Sequence, residues 1–215
     1  MTDDQRVRTA HHEAGHAAMA WVLGRSVGVV SIRPSEHVLG LAFWGPARRA
    51  TVPAGVSTRP AVLWPADLRR SIETSILISL AGEIAERYAP PQDAPRVTRL
   101  PERVAPLTPR ETSRLADVEA AEIHQTDWQR AVELIDLLAD PDGGSFGHAY
   151  LEALAALADE IVRSPRFRAL ADALIPVLLG GEVVSARTVR EIFRASDPEY
   201  RERPQPVAAR SKGER

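Results

Sequence analysis

Cysteine is absent from the 215 residues, which excludes disulfide staples and any thiolate metal site. Lysine is nearly absent: Lys212 is the only one in the chain. A phosphate loop of the Walker type needs a lysine after its glycines, and none stands before the last few residues. Schiff-base and Ser-Lys chemistries lose their amine for the same reason. Nor does a glycine-rich turn join a strand to a helix to cradle a dinucleotide, so nucleotide hydrolysis would have to come from another chain. No apolar run approaches the roughly 20 residues that a membrane helix requires. The opening residues Met1 to Arg6 are polar and acidic rather than a signal peptide. The formal net charge of -2 gives no general attraction to nucleic acid or to an anionic membrane. What is left is the expectation of a cytoplasmic protein, long enough for one well-buried domain.

What is present reads as mainly α with a small β-sheet, an α+β fold. A first helix starts at Thr2 or Asp3, either of which can cap free N–H groups, and runs to about Leu23 before Gly24. Its interior is rich in alanine, with Gly15, so a second element can approach its backbone closely. Two β-rich segments follow, Val27 to Arg33 and Val38 to Trp44, joined through Pro34 to His37. Residues 45 to 64 are loop-like. A second helix starts near Pro65 and continues to Tyr88, with Ile72, Ile76, Leu80 and Ile84 on one face. Residues 89 to 109 form a proline-rich insertion. Helical pattern resumes from Pro109 to about Leu138, with a break near Gln125 and Thr126, and then at 148–163, 165–179 and 186–195, the last capped by Ser185. One domain over 1–196 and a disordered tail over 197–215 complete the division.

The chemistry concentrates in the first helix. The stretch His11-His12-Glu13-Ala14-Gly15-His16 contains His-Glu-x-x-His. Residues four apart on a helix lie one above the other, so His12 and His16 can bind one metal ion from consecutive turns. Glu13 is rotated by roughly 100° and projects beside the metal, where it can act as catalytic base toward a metal-bound water and later return the proton. A catalytic zinc needs three protein ligands and one open position, so a third donor is required. His11 points to a different side of the helix. His37, His124 and His148 have no ligand spacing to one another.

The resemblance reaches further than the motif. HHEAGHAAMAWVL, then SVGVVSIRPSEHVLGLAFWG, then ISLAGEIAERY (Ile78 to Tyr88) resemble in order the peptidase domain of the FtsH-type AAA zinc metalloproteases. Thr126 to Ile135 and the leucine-rich segment before Gly180 to Ser185 are similar to its later helices. That resemblance implies a zincin-like fold, a helix bearing the motif packed on a short sheet with a helical C-terminal bundle, and Zn²⁺ as cofactor. It implies Asp127 as third ligand beside His12 and His16, with polypeptides as substrate. An aspartate there can also simply cap its helix, and Glu83 or Glu86 could supply the third ligand instead. Glu86 is otherwise a candidate to orient a ligating histidine. A non-hydrolytic interaction module on the same scaffold is the rival function. The segment Val38 to Trp44 is expected to offer its backbone to an extended substrate. The motif begins eleven residues into the sequence with no ATPase module before it, so ATP-driven unfolding is not implied. An AAA ATPase acting in trans and a homo-oligomer both stay open as partners.

Overall fold

A computed structural model describes residues 1–35, 39–45, 65–89, 105–120, 126–139 and 144–200. Among them are seven helices and one three-stranded antiparallel sheet, the α+β arrangement expected. The helices are α1 (Asp3–Val22), α2 (Ala66–Arg87), α3 (Pro109–Ala120), α4 (Asp127–Leu138), α5 (Gly144–Arg163), α6 (Pro165–Gly181) and α7 (Ala186–Ser196). The strands are β1 (Val27–Ser31), β2 (Leu41–Trp44) and β3 (Val183–Val184), in the order β2-β1-β3.

Helix α1 runs through the centre. Thr2 caps it: its hydroxyl accepts from Gln5 N–H while the Gln5 side chain accepts from Thr2 N–H, two end groups satisfied reciprocally. Its small residues let α2 come very close. A Cβ placed on Gly15 would lie 2.6 Å from Ala85 Cβ and 2.8 Å from the Ala81 carbonyl oxygen, so only glycine permits this crossing. Around that contact Met19, Ile76, Ile78, Leu170 and Leu174 are fully enclosed. Helices α4 and α5 also pack on α2, and α6 on α1.

Strand β1 is central and carries a bulge. Val27 faces Trp44 while Val30 faces Ala42, so β1 has one residue more than β2 between those pairs. Gly28 sits in the bulge because a Cβ there would meet Phe43 Cβ at 2.8 Å. The described strand β2 begins at Leu41; Val38, where the segment was expected to start, lies outside the described residues, as does His37. The pairing of β3 on β1, continued by Ile32 N–H to the Glu182 carbonyl at 2.7 Å, was not anticipated. Two residues are too short to show an alternation.

Other boundaries move as well. The pattern from Pro109 to Leu138 resolves into α3 and α4, with 121–125 outside the described residues. Helix α5 starts at Gly144 rather than at 148, and its added turn places Phe146 against Tyr150, ring centroids 5.8 Å apart. Most of the 89–109 insertion lies outside the described residues, but Ala105 N–H already donates to Thr188 Oγ1 at 2.9 Å. The folded region also passes residue 196. The Asp197 side chain is fully enclosed and accepts from Trp21 Nε1 at 2.8 Å and from Arg166 at 2.9 and 3.0 Å. Glu199 N–H donates to the same carboxylate at 3.0 Å, and a tail beginning at 197 is therefore corrected: a buried carboxylate with four N–H donors belongs to the fold. Residues 201–215 lie outside the description. No described helix is long and apolar enough to cross a membrane.

Candidate metal centre

Helix periodicity brings His12 and His16 onto one face of α1, with ring centroids 4.8 Å apart. The Nδ1–H of His16 donates to the Ile78 carbonyl of α2 at 2.7 Å. That bond turns Nε2 toward the cleft. Nδ1 of His12 lies 3.4 Å from Glu86 Oε2, and Glu86 is anchored in turn by Arg8 at 2.7 Å. Each histidine thus has its far nitrogen tied to α2 and its near nitrogen presented to the same point.

Asp127 arrives at that point from α4. Its Oδ2 is 2.8 Å from His12 Nε2 and 2.9 Å from His16 Nε2. Thr126, not Asp127, caps α4: its hydroxyl accepts from Gln129 N–H and its own N–H donates to Gln129 Oε1. The capping role is filled by the neighbour, so the Asp127 carboxylate is left to face the histidines. His12, His16 and Asp127 each offer one ligand atom, all within 4.8 Å of one another, and could hold a metal ion. Glu83 and Glu86 are not in this group, although both line the cleft.

The donor set suits a cation of the zinc type, two imidazoles and a carboxylate oxygen with one side open. Zinc bonds of about 2.0–2.1 Å set tetrahedral donors about 3.3 Å apart, so a bound ion would move the Asp127 oxygen about half an ångström away from each of the two nitrogens that it now meets at 2.8 and 2.9 Å. The space itself is kept by Gly82. A Cβ at that position would stand 2.4 Å from His16 Nε2 and 2.8 Å from His12 Nε2. Any other residue would press on both Nε2 atoms.

Burial and charge act in opposite senses here. Burial would lower the His12 pKa, but the hydrogen bond to Asp127 and the charges of Glu13, Asp127 and Glu86 raise it to about 9. Burial raises Asp127, yet the His16 and His12 partners hold it well below the usual carboxylate range. Glu13 is 5% exposed, and burial pushes its carboxyl up to about 7 against the opposing pull of His16 and His12. Gly40 crosses directly over Glu13, where a Cβ would come within 2.7 Å of Oε1. Such a carboxyl can exchange a proton near neutrality.

These groups open into a cleft of about 780 Å³. One wall is β2, the outer strand of the sheet, through Leu41, Ala42 and Trp44; another is the start of α4. Of the remaining histidines, His11 is buried outside the metal-facing group, and His148 is exposed beside Glu152 at 3.3 Å. His124 lies outside the described residues. Sequence reasoning gave no role to Gly82 or Trp44. Gly82 stands inside the LAG pattern, and the tilted contact of Trp44 with His16, 5.7 Å between centroids, requires the fold to be seen. Neither comparison with known protein families nor comparison with curated proteins returns a match for this chain.

Proposed function

We propose that this chain is a zinc-dependent metalloendopeptidase that hydrolyses peptide bonds in unfolded or flexible polypeptides, as the FtsH-type peptidase domain that it resembles does. The observation that carries this reading is the convergence of His12, His16 and Asp127 on one point beside a buried glutamate. Zinc held there would supply a Lewis acid and a water acidified to near neutrality. Glu13 takes a proton from the attacking water as its oxygen bonds to the substrate carbonyl carbon. It then delivers that proton to the amine nitrogen as the C–N bond breaks. Glu86, braced by Arg8, and the Ile78 carbonyl hold the two imidazoles in register. Strand β2, at the sheet edge, is placed for an extended peptide to lie beside it, bound through backbone with little demand on sequence.

Metal analysis of the purified protein and a casein degradation assay, with and without ATP, test the reading. One equivalent of zinc and casein cleavage are expected. Glu13→Gln should keep the metal and lower turnover by at least about a hundredfold, whereas His12→Ala should lose both metal and turnover. Full activity in the Gln variant would overturn the assignment of Glu13. Metal-free protein that leaves every unfolded substrate intact after zinc is added would overturn the enzyme. Any stimulation by ATP would come from an ATPase outside these 215 residues, which hold no phosphate loop.

A further inference from the structure

Two arginines line the cleft, and they differ in what they are bound to. Arg8 is ion-paired with Glu86. Arg130 has no carboxylate partner among the described residues; its guanidinium lies over the Trp44 ring, 5.1 Å from the centroid. Arg130 is three residues after Asp127, so both side chains leave the same face of α4. A third arginine, Arg114, stacks on Phe43, which belongs to the opposite face of β2 and does not line the cleft.

A guanidinium seated over a ring at this distance is held by the ring's π face and does not spend its five N–H donors on it, so they can still grip a carboxylate, for which arginine is suited through two parallel hydrogen bonds. None of the four carboxylates that line the cleft is paired with Arg130: Asp127 is held by both histidines, Glu86 by Arg8 and His12, and neither Glu13 nor Glu83 forms an ion pair with it. Trp44 itself contacts His16. Together the two contacts keep the guanidinium within about 11 Å of the His16 ring, roughly three residues of extended chain. We infer that Arg130, clamped on Trp44, forms a subsite for a carboxylate of the bound peptide, an acidic side chain or the chain terminus, within about three residues of the reacting carbonyl. The inference rests on the peptidase reading and adds a charge preference to it. The backbone of β2 would supply affinity without sequence, and Arg130 would choose among sequences.

Fluorescein-labelled, C-terminally amidated octapeptides test this, with Glu placed at each position in turn and Gln and Lys analogues of each. A free-acid version of the Gln peptide separates the terminal carboxylate from the side chain. Anisotropy is read on the zinc-loaded full chain carrying Glu13→Gln, and cleavage of the same peptides on the unsubstituted chain. At one position Glu should bind about tenfold tighter than Gln. Arg130→Gln should abolish that ratio, and Arg130→Glu should turn it toward Lys. Equal binding of Glu and Gln peptides at every position, with no gain from the free acid, overturns the subsite, and so does a ratio that survives Arg130→Gln. Cleavage without discrimination removes the subsite alone. Discrimination without cleavage keeps it and removes the peptidase.

Discussion

Gly82 shows how much a single hydrogen atom can decide. A methyl group in its place would enter the contact distance of both His12 and His16 Nε2. Gly82→Ala should therefore lower metal content to a small fraction of one equivalent. The helix itself should tolerate the change, since alanine is favoured over glycine there by about 1 kcal/mol. Retained circular dichroism with lost zinc is the expected pair of results; full zinc occupancy would sink the idea that this glycine guards the site. His12 makes a second prediction at this scale. In the metal-free protein it keeps its proton up to about pH 9, so a cation arriving at neutral pH must displace that proton. Apparent zinc affinity should rise with pH until about 9, and calorimetry in buffers of different ionisation enthalpy should report close to one proton released per metal bound. That His12 and His16 share one face of α1 was legible in the sequence, because a four-residue spacing on a helix is geometry in itself. Asp127 was reachable only through resemblance. It lies 111 residues from His16, and no local pattern encodes a contact of that separation.

Among the elements, α1 and α2 act as one unit. Each histidine reaches across to α2, His16 to the Ile78 carbonyl and His12 to Glu86, so the distance between the helices sets the direction of both rings. Gly15→Ala should force them apart, since Ala81 O and Ala85 Cβ leave no room. Overpacking of this kind costs about 1–3 kcal/mol, offset in part by alanine's better helix propensity. Thermal unfolding and zinc titration on this variant should show a small loss of stability with a larger loss of metal affinity. Unchanged affinity would mean that the helix spacing does not govern the site. The alanines of α1 pointed to a close crossing, and the isoleucine stripe marked the buried face of α2. Which helix would meet which was hidden, because small residues say that something approaches and not what. The β1 bulge and the β3 pairing were hidden too, since each depends on long-range partners.

At the scale of the whole molecule, the sequence carried the α+β class and most helix starts, because caps such as Thr2 and Ser185 are local chemistry. Its error at Asp197 was instructive. A stretch with proline and charges reads as solvated, yet this carboxylate is enclosed by Trp21, at the end of α1, and Arg166, at the start of α6. Burial raises Asp197, but Arg166 and Trp21 outweigh that and hold its pKa below the ordinary 3.8. A depressed folded pKa adds stability above the unfolded value, and that contribution fades as pH falls through the folded one. Asp197→Ala should cost about 2–3 kcal/mol at neutral pH, and its deficit against the unsubstituted chain should shrink below about pH 4. A deficit independent of pH would show that packing, not charge, makes the contribution. The helix that presents both imidazoles is thus moored at its far end by a side chain 176 residues downstream. A chain shortened to Ser196 would keep His12, His16 and Asp127 and still cut that mooring, so on the zinc reading proposed above a weaker hold on metal after C-terminal trimming would be damage transmitted along α1 rather than damage to the three donors.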